Sequence, residues 1–509
     1  MKNAKTIMIQ GTGSGVGKSV ITAALCRIFN QDGYSVAPYK AQNMALNSFV
    51  TPSGGEIGRA QAVQAQAARV IPTVDMNPVL IKPTADMMAQ IVVLGKPLGN
   101  KSAMAYMNHT RKLFGTVKAS LNNLKKEYDI VVMEGAGSPA EINLRKNDIV
   151  NMRIALASHS PVILVGDIDK GGVLASIVGT LALLNKKERK HIKGLIINKF
   201  RGDLRLFENG VRFLERRTGL KVLGVLPYYR DIEIPEEDAI PWEKRAKAAG
   251  NKGPLKFGVI CLPHLSNFTD FDALEREPDV DLIYARKPEE LKNCDVIIIP
   301  GTKNTIADLQ WVKNSGMAGK ILRHKGSIIG ICGGFQMLGA SVSDPNHLES
   351  RIGNTLGLSL LPVITELKEQ KQLRQVTGKY IKTGMKVQGY EIHHGQTAYT
   401  GSVKPVFKID DGKKAFDGAR SSDNRVWGTY IHGVFDSNGF RRNFLNALRR
   451  KKGLKPISPI ISEPDKEFDK LAAFTRKHID IKYLYKLLNM SLRGARQSSS
   501  GGRRGNPAV

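Results

Sequence analysis

Cysteine is scarce in this chain: Cys26, Cys261, Cys294 and Cys332 are the only four among 509 residues. They are widely scattered, which excludes a disulfide framework and any paired-cysteine metal site and fits a reducing interior with free thiols. Long apolar runs are absent too, so no membrane span is expected. The opening MKNAKTIMIQGTG runs straight into a glycine-rich loop and leaves no room for a secretory signal, which points to a cytoplasmic protein. Acidic residues fall well short of basic ones, 46 against 76, for a formal charge of +30. Nothing in the basic stretches at 186–193 and 441–452 interleaves aromatics or forms a reading module, so no specific nucleic-acid partner is expected. Solvation and attraction of an anionic substrate account for the charge.

What is present is enough apolar material, 42%, to fill real cores, in a chain too long for one of them. Apolar runs at 5–11, 35–38, 130–133, 162–165 and 194–197 read as strands, with a helix at 19–30 and apolar helical patterns between several of the others. A second series follows at 256–262, 280–284, 295–300 and 327–331. Each series predicts an α/β domain built on a mostly parallel sheet covered on both faces. The charged stretch after Tyr228 is the linker. The expected organisation is a P-loop-type domain over 1–230, a linker over 231–253 and a second α/β domain over 254–450. Shorter strand-like pieces are expected at 384–431. An extension follows over 451–490, with a helix at 479–490, and then a basic, disordered tail over 491–509.

The loop GTGSGVGKS at 11–19 places glycines where backbone N–H groups approach phosphate oxygens. It departs from the strict phosphate-loop spacing, because Thr12 stands where the first glycine belongs. Thr12, Gly15, Gly17, Lys18 and Ser19 are the phosphate-binding candidates, with Lys18 neutralising terminal phosphates and Ser19 reaching Mg²⁺. Glu134, in VVMEGAG just beyond a buried strand, is the second candidate for the metal. Asp167, Asp169 and Lys170 end another strand. Asn198, in INKFRGD, is placed to meet a base, and the absence of guanine-specific spacing favours adenine.

The second chemical signature is SIIGICGGFQMLG at 327–339. A buried strand, two permissive glycines and a helix put Cys332 on an elbow, where a helix start favours thiolate and adjacent N–H groups hold an oxyanion. Gly301, in the turn PGTKNT, and Gly333 are the oxyanion candidates. His432, in GTYIHGVFD, is a base candidate, with His393 and His394 of GYEIHHGQT as rivals that spacing does not separate.

The first half resembles the dethiobiotin synthetase-type ATPases, whose loop also begins Gly-Thr and ends Val-Gly-Lys-Ser/Thr. Within that group, YKAQNMALNSFV at 39–50, GGEIGRAQAVQAQAA at 54–68, MNPVLIKPTAD at 76–86, EGAGSPAEINL at 134–144 and DIDKGG at 167–172 are similar to the cobyric acid synthases. These segments make Lys40, Gln42, Asn43, Glu56 and Asp169 candidates for substrate contact. The sister enzymes that amidate the a and c side chains carry Phe-Lys-x-Gly-Pro-Asp where this chain has Tyr-Lys-Ala-Gln-Asn. The second half resembles the class I glutamine amidotransferases, which implies Cys332 as nucleophile and His432 as base. Many members follow that histidine with Pro-Glu; here Gly433 and Val434 follow, as in the cobyric acid synthase branch, and His432 has no identified orienter.

The resemblance implies ATP and Mg²⁺ as cofactors, and glutamine and a corrinoid carboxylate as substrates. Glutamine-derived ammonia would attack an acyl phosphate, amidating the b, d, e and g carboxylates of adenosylcobyrinic acid a,c-diamide. The rival readings are the sister a,c-diamide synthase, an ATP-dependent amidase acting on a cell-wall precursor, and a partitioning ATPase with an inactive second domain. QNMALN and EIGRAQ oppose the first two, and the paired Cys332 and His432 oppose the third.

Overall fold

The computed structural model describes all residues except 1–2, 86–87, 230–231, 233, 235–252, 351, 411–413, 460–462 and 493–509. Most of the expected linker and nearly all of the expected tail therefore lie outside the described residues.

Lys5–Gly11 is an inner strand of a six-stranded sheet in the order Val222–Pro227, Ile192–Phe200, Val162–Asp167, Lys5–Gly11, Ile130–Glu134, Val36–Tyr39. Every pairing in it is parallel. Its central strands are apolar and buried along their length, because helices cover both faces and leave neither to water. The helix Lys18–Gln31 follows the glycine-rich loop directly, as the sequence predicts. A four-stranded sheet built from Gln42–Met44, Val79–Ala85, Met88–Val93 and Lys96–Ser102 extends this half.

A second six-stranded sheet runs Val280–Ala285, Leu255–Ile260, Val296–Ile299, Ser327–Ile331, Val426–Thr429, Ala419–Arg420, parallel except at the last strand. The expected strands coincide with observed ones to within a few residues. In both halves, active-site candidates sit at the carboxyl ends of the parallel strands, where loops leave the sheet and ligands bind in open α/β folds.

Two features differ from the sequence reading. The short strand-like pieces expected after residue 384 include part of a long antiparallel hairpin, Val363–Tyr380 against Lys386–Tyr399. Alternating burial along its first arm hides the pattern, since one face meets the domain and the other meets water. The register shifts between Leu367 and Gln372, and Lys371 lies within that shift.

The C-terminal extension holds two helices, Pro464–His478 and Ile481–Leu488, rather than one. They pack back on the first half. The fully buried Arg27 meets Asp469 at 2.7 Å and Asp465 at 3.2 Å, and Phe29 packs edge-on to Tyr485. A buried guanidinium requires carboxylate partners, and the sequence neighbours of Arg27 supply none.

Candidate active sites

In the first half, the loop after Lys5–Gly11 turns on Gly15 and Gly17, whose φ values of +69° and +97° only glycine adopts freely. Thr12 N donates to Val165 O at 2.9 Å, tying the loop to the neighbouring strand. Lys18 Nζ donates to Gly13 O at 2.8 Å and Gly137 O at 3.2 Å, so its ammonium lies inside the cradle. Ser19 Oγ donates to Glu134 Oε1 at 2.8 Å, and Lys40 Nζ meets the same oxygen at 2.9 Å. Gln64 Nε2 donates to Glu134 Oε2 at 2.6 Å. Burial works against charge on Glu134, but Lys40 and the bonds from Gln64 and Ser19 outweigh it and hold the carboxyl below its ordinary range.

Asn198 serves the loop from below: its Nδ2 donates to Val16 O at 2.9 Å, and a Cβ on Gly17 would strike it at 2.1 Å. Its Oδ1 is buried without a hydrogen-bond partner, as are Gln10 Oε1 and Gln64 Oε1. The lysine in the loop and the hydroxyl–carboxylate pair fit a phosphorylated ligand with a hard cation, whereas the unpartnered amide oxygens call for donors on the ligand or for the cation itself. No cluster of three or more His, Cys, Asp or Glu suited to a metal exists among the described residues. A cation here would depend on Ser19, Glu134 and ligand oxygens.

The substrate candidates are not gathered in one place. Lys40 joins the Glu134 cluster. Gln42 Oε1 accepts from the Tyr106 hydroxyl, and Asn43 Nδ2 donates to Gln61 Oε1 at 3.1 Å. Asp169 is partly exposed and pairs with Arg201 at 2.5 Å. Glu56 is fully buried at the junction of the two halves, bridging Lys82 to Lys371 (2.6 Å) and accepting from Ser48 Oγ at 2.8 Å. Ser48 and Lys82 share its Oε1, Lys371 takes its Oε2, and the side chain has no exposure to solvent.

In the second half, Ser327–Ile331 ends at Cys332, which adopts φ 52° and ψ −109° before the helix Gly333–Leu338. A non-glycine residue held in that region is strained, and the strain is fixed by Cys332 N donating to Thr429 O at 2.8 Å and Gln336 N donating to Cys332 O at 3.1 Å. A Cβ at Gly301 would come 3.0 Å from His432 Cε1 and 3.7 Å from Cys332 Cβ. One at Gly333 would come 2.7 Å from Thr302 Cγ2. Cys332, His432, Gly301, Gly333 and Thr302 thus form one tight constellation.

His432 has a carboxylate partner after all. Its Nδ1 lies 2.7 Å from Asp270 Oδ2, and Asp270 Oδ1 accepts from Gly433 N at 2.9 Å. Both side chains are buried. Burial opposes charge on the imidazole, and Asp270 together with Cys332 reverses this, raising its pKa to about 10. The rival histidines are placed differently. His394 Nδ1 faces Lys368 O at 2.9 Å, and burial together with Lys371 lowers its pKa to about 4. His393 stacks on Tyr430 with ring centres 3.8 Å apart, its Nδ1 facing Gly395 O. Both line the Cys332 pocket with Lys303, Glu349 and Lys371. Burial lifts the Glu349 carboxyl to about 7.

Sequence reasoning missed Asp270, Lys371 and Glu349. The orienter arrives from the helical turn Phe268–Phe271, beyond the Leu255–Ile260 strand, where SNFTDFDAL carries Asp270 and Asp272 but no spacing that links either to His432.

Two family models match the chain: the CobQ/CobB/MinD/ParA nucleotide binding domain over residues 7–242 and the CobB/CobQ-like glutamine amidotransferase domain over 256–440. A cobyric acid synthase from Syntrophobacter fumaroxidans is 46% identical, covering 96% of this chain and 99% of its own. One from Clostridium botulinum strain Kyoto is 49% identical over 95% and 99%. This chain belongs to the cobyric acid synthase family. It is accordingly a glutamine-dependent, amide-forming ligase of cobalamin biosynthesis, with a nucleotide-binding half and an amidotransferase half. A solved glutamine amidotransferase aligns over 38% of this chain and 97% of its own, at 15% identity and a TM-score of 0.29. No helix among the described residues is long and apolar enough to cross a membrane.

Proposed function

We propose that this member of the cobyric acid synthases amidates the b, d, e and g carboxylates of adenosylcobyrinic acid a,c-diamide in the cytoplasm, using ATP, Mg²⁺ and glutamine. A carboxylate does not accept ammonia directly, because oxide or hydroxide would have to leave. ATP removes that obstacle: a substrate carboxylate oxygen attacks the terminal phosphorus, ADP departs, and an acyl phosphate results. Lys18 and the loop N–H groups hold the phosphates; Ser19 and Glu134 would hold Mg²⁺, which would supply positive charge to the transferred phosphoryl group. Gln64 and Lys40 fix the Glu134 carboxylate for that task. Asn198 supports the loop and keeps an acceptor for the ligand.

In the other half, the Cys332 thiolate attacks the glutamine side-chain amide. The imidazolium of His432 protonates the departing nitrogen, ammonia leaves, and water then hydrolyses the thioester to glutamate. Asp270 holds the His432 ring and offsets its charge. N–H groups around Gly301 and Gly333 receive the oxyanion. Ammonia attacks the acyl phosphate carbonyl and phosphate leaves, giving the amide.

The observation that carries this reading is the pair of complete constellations, Lys18–Ser19–Glu134 and Cys332–His432–Asp270, within one chain and joined by a buried junction. Incubation with adenosylcobyrinic acid a,c-diamide, ATP-Mg²⁺ and glutamine, followed by mass spectrometry, tests it. Four successive replacements of a carboxyl hydroxyl by an amino group are expected. Products that stop earlier, or an untouched corrinoid beside an active glutaminase, would refute the assignment.

A further inference from the structure

A second histidine–carboxylate pair, His264 and Asp308, lies against the turn 300–305. That turn leaves the strand Val296–Ile299 and enters the helix Thr305–Asn314, and Thr302, Lys303 and Thr305 line the Cys332 pocket. Thr302 N lies 3.2 Å from the position a Gly333 Cβ would take. Among the described residues no acceptor takes the Thr302 N–H, although Thr302 is buried. A backbone donor left open beside the nucleophile is available to a substrate oxyanion.

The turn is fixed from both sides. Ser266 N donates to Gly301 O at 3.0 Å, and Lys303 N donates to His264 O at 3.1 Å. Thr302 Oγ1 accepts from Asn304 N at 3.1 Å and donates to Asp308 Oδ2. Asp308, in the first turn of the helix, is fully buried. Its Oδ2 also accepts from His264 N at 3.2 Å, and its Oδ1 meets His264 Nδ1 at 2.7 Å. A carboxylate only accepts, so Nδ1 carries the hydrogen. Burying a carboxylate is costly unless donors surround it. Here the donors that offset the cost are the groups that shape the turn.

We propose that Asp308 is a positioning residue for glutamine hydrolysis. Through Thr302 Oγ1 it sets the peptide between Gly301 and Thr302, and His264 holds the carboxylate in place. As the Cys332 sulfur bonds the amide carbon, the carbonyl π pair moves onto oxygen, and the Thr302 N–H receives that charge. Asp308 itself touches neither substrate nor Cys332. Its contribution therefore falls on steps that put negative charge on the amide oxygen. The inference rests on the Cys332–His432 reading above.

The test compares two reactions of one sulfur in the full chain. Glutamine hydrolysis, with the corrinoid and ATP-Mg²⁺ present, passes through an oxyanion. Alkylation of Cys332 by iodoacetamide, localised by mass spectrometry, displaces iodide at a methylene carbon and forms none. Asp308→Asn keeps the size and puts an N–H where a donor already points. It is expected to lower the kcat for glutamine about tenfold to a hundredfold, with KM and the alkylation rate each within about twofold of wild type. Thr302→Val, which removes the hydroxyl and keeps the shape, is expected to show the same split and carries the test where Asp308→Asn does not fold. The double variant is expected to have a kcat no lower than the slower single variant, because both changes cut one connection. A near-normal kcat in either folded variant overturns the inference. So does an equal fall in hydrolysis and alkylation, which marks a general disturbance of the Cys332 elbow, or losses that multiply in the double variant. Wild-type protein that alkylates but never hydrolyses glutamine would instead remove the amidotransferase reading on which the inference rests.

Discussion

His432 Nδ1 lies 2.7 Å from Asp270 Oδ2, a contact between residues 162 positions apart. It supplies, from a different loop, the carboxylate that many class I amidotransferases carry two residues after the histidine. Asp270→Asn keeps the shape and removes the charge. It is expected to lower glutamine-dependent kcat by about 10²- to 10⁴-fold while ammonium-dependent synthesis continues. Steady-state kinetics with each nitrogen source checks this, and a near-normal glutamine-dependent kcat in folded protein would remove Asp270 from the site.

The same pair makes stability depend on pH. His432 is raised from 6.5 to about 10 on folding, so between those values the folded chain holds a proton that the unfolded chain has released. The stabilisation is fully present below the unfolded value and is lost as pH rises through the folded one. The Tm difference between wild type and Asp270→Asn is therefore expected to shrink as pH is raised from neutrality past about 10. Scanning calorimetry across a pH series reads it; a constant difference contradicts the linkage.

Separate sites predict separable losses. Cys332→Ala is expected to abolish glutamine-dependent amide formation and preserve formation with free ammonium. Lys18→Ala is expected to abolish both, because no acyl phosphate forms. Comparing the two nitrogen sources in each variant checks the division, and loss of both activities in folded Cys332→Ala would contradict it.

Beneath the amidotransferase sheet, Glu277 pairs with Arg441 at 2.7 Å and Arg442 at 2.9 Å, all three buried. Glu277→Ala removes a carboxylate from Arg441 and leaves Arg442 with Asp279 as its carboxylate partner at 2.7 Å, and is expected to cost about 3 kcal/mol. Urea denaturation measures it. A cost below about 1 kcal/mol, the scale of an exposed pair, would show that water reaches the cluster.

Much of the fold was legible because parallel strands buried on both faces are continuous apolar runs, and glycine turns at their ends are visible in a string of letters. Ser327–Ile331 is observed at its expected bounds for that reason. The hairpin Val363–Tyr380 was not legible, since its one buried face alternates with exposed residues and its length comes from pairing with Lys386–Tyr399. Glu56 illustrates the limit for single residues. Its motif marks it as special, but only the packed structure reveals that Lys82 from its own half and Lys371 from the other enclose it.

By itself, the sequence determined the two chemical signatures, GTGSGVGKS and the Cys332 elbow, because each depends on neighbouring residues whose spacing fixes local backbone and charge. Tertiary structure decided how His432 is oriented, where Glu56 lies, and how Asp308 ties His264 to the turn beside Cys332. Those relations join residues distant in the chain, through hydrogen bonds and ion pairs that exist only once burial has excluded water and brought their partners together.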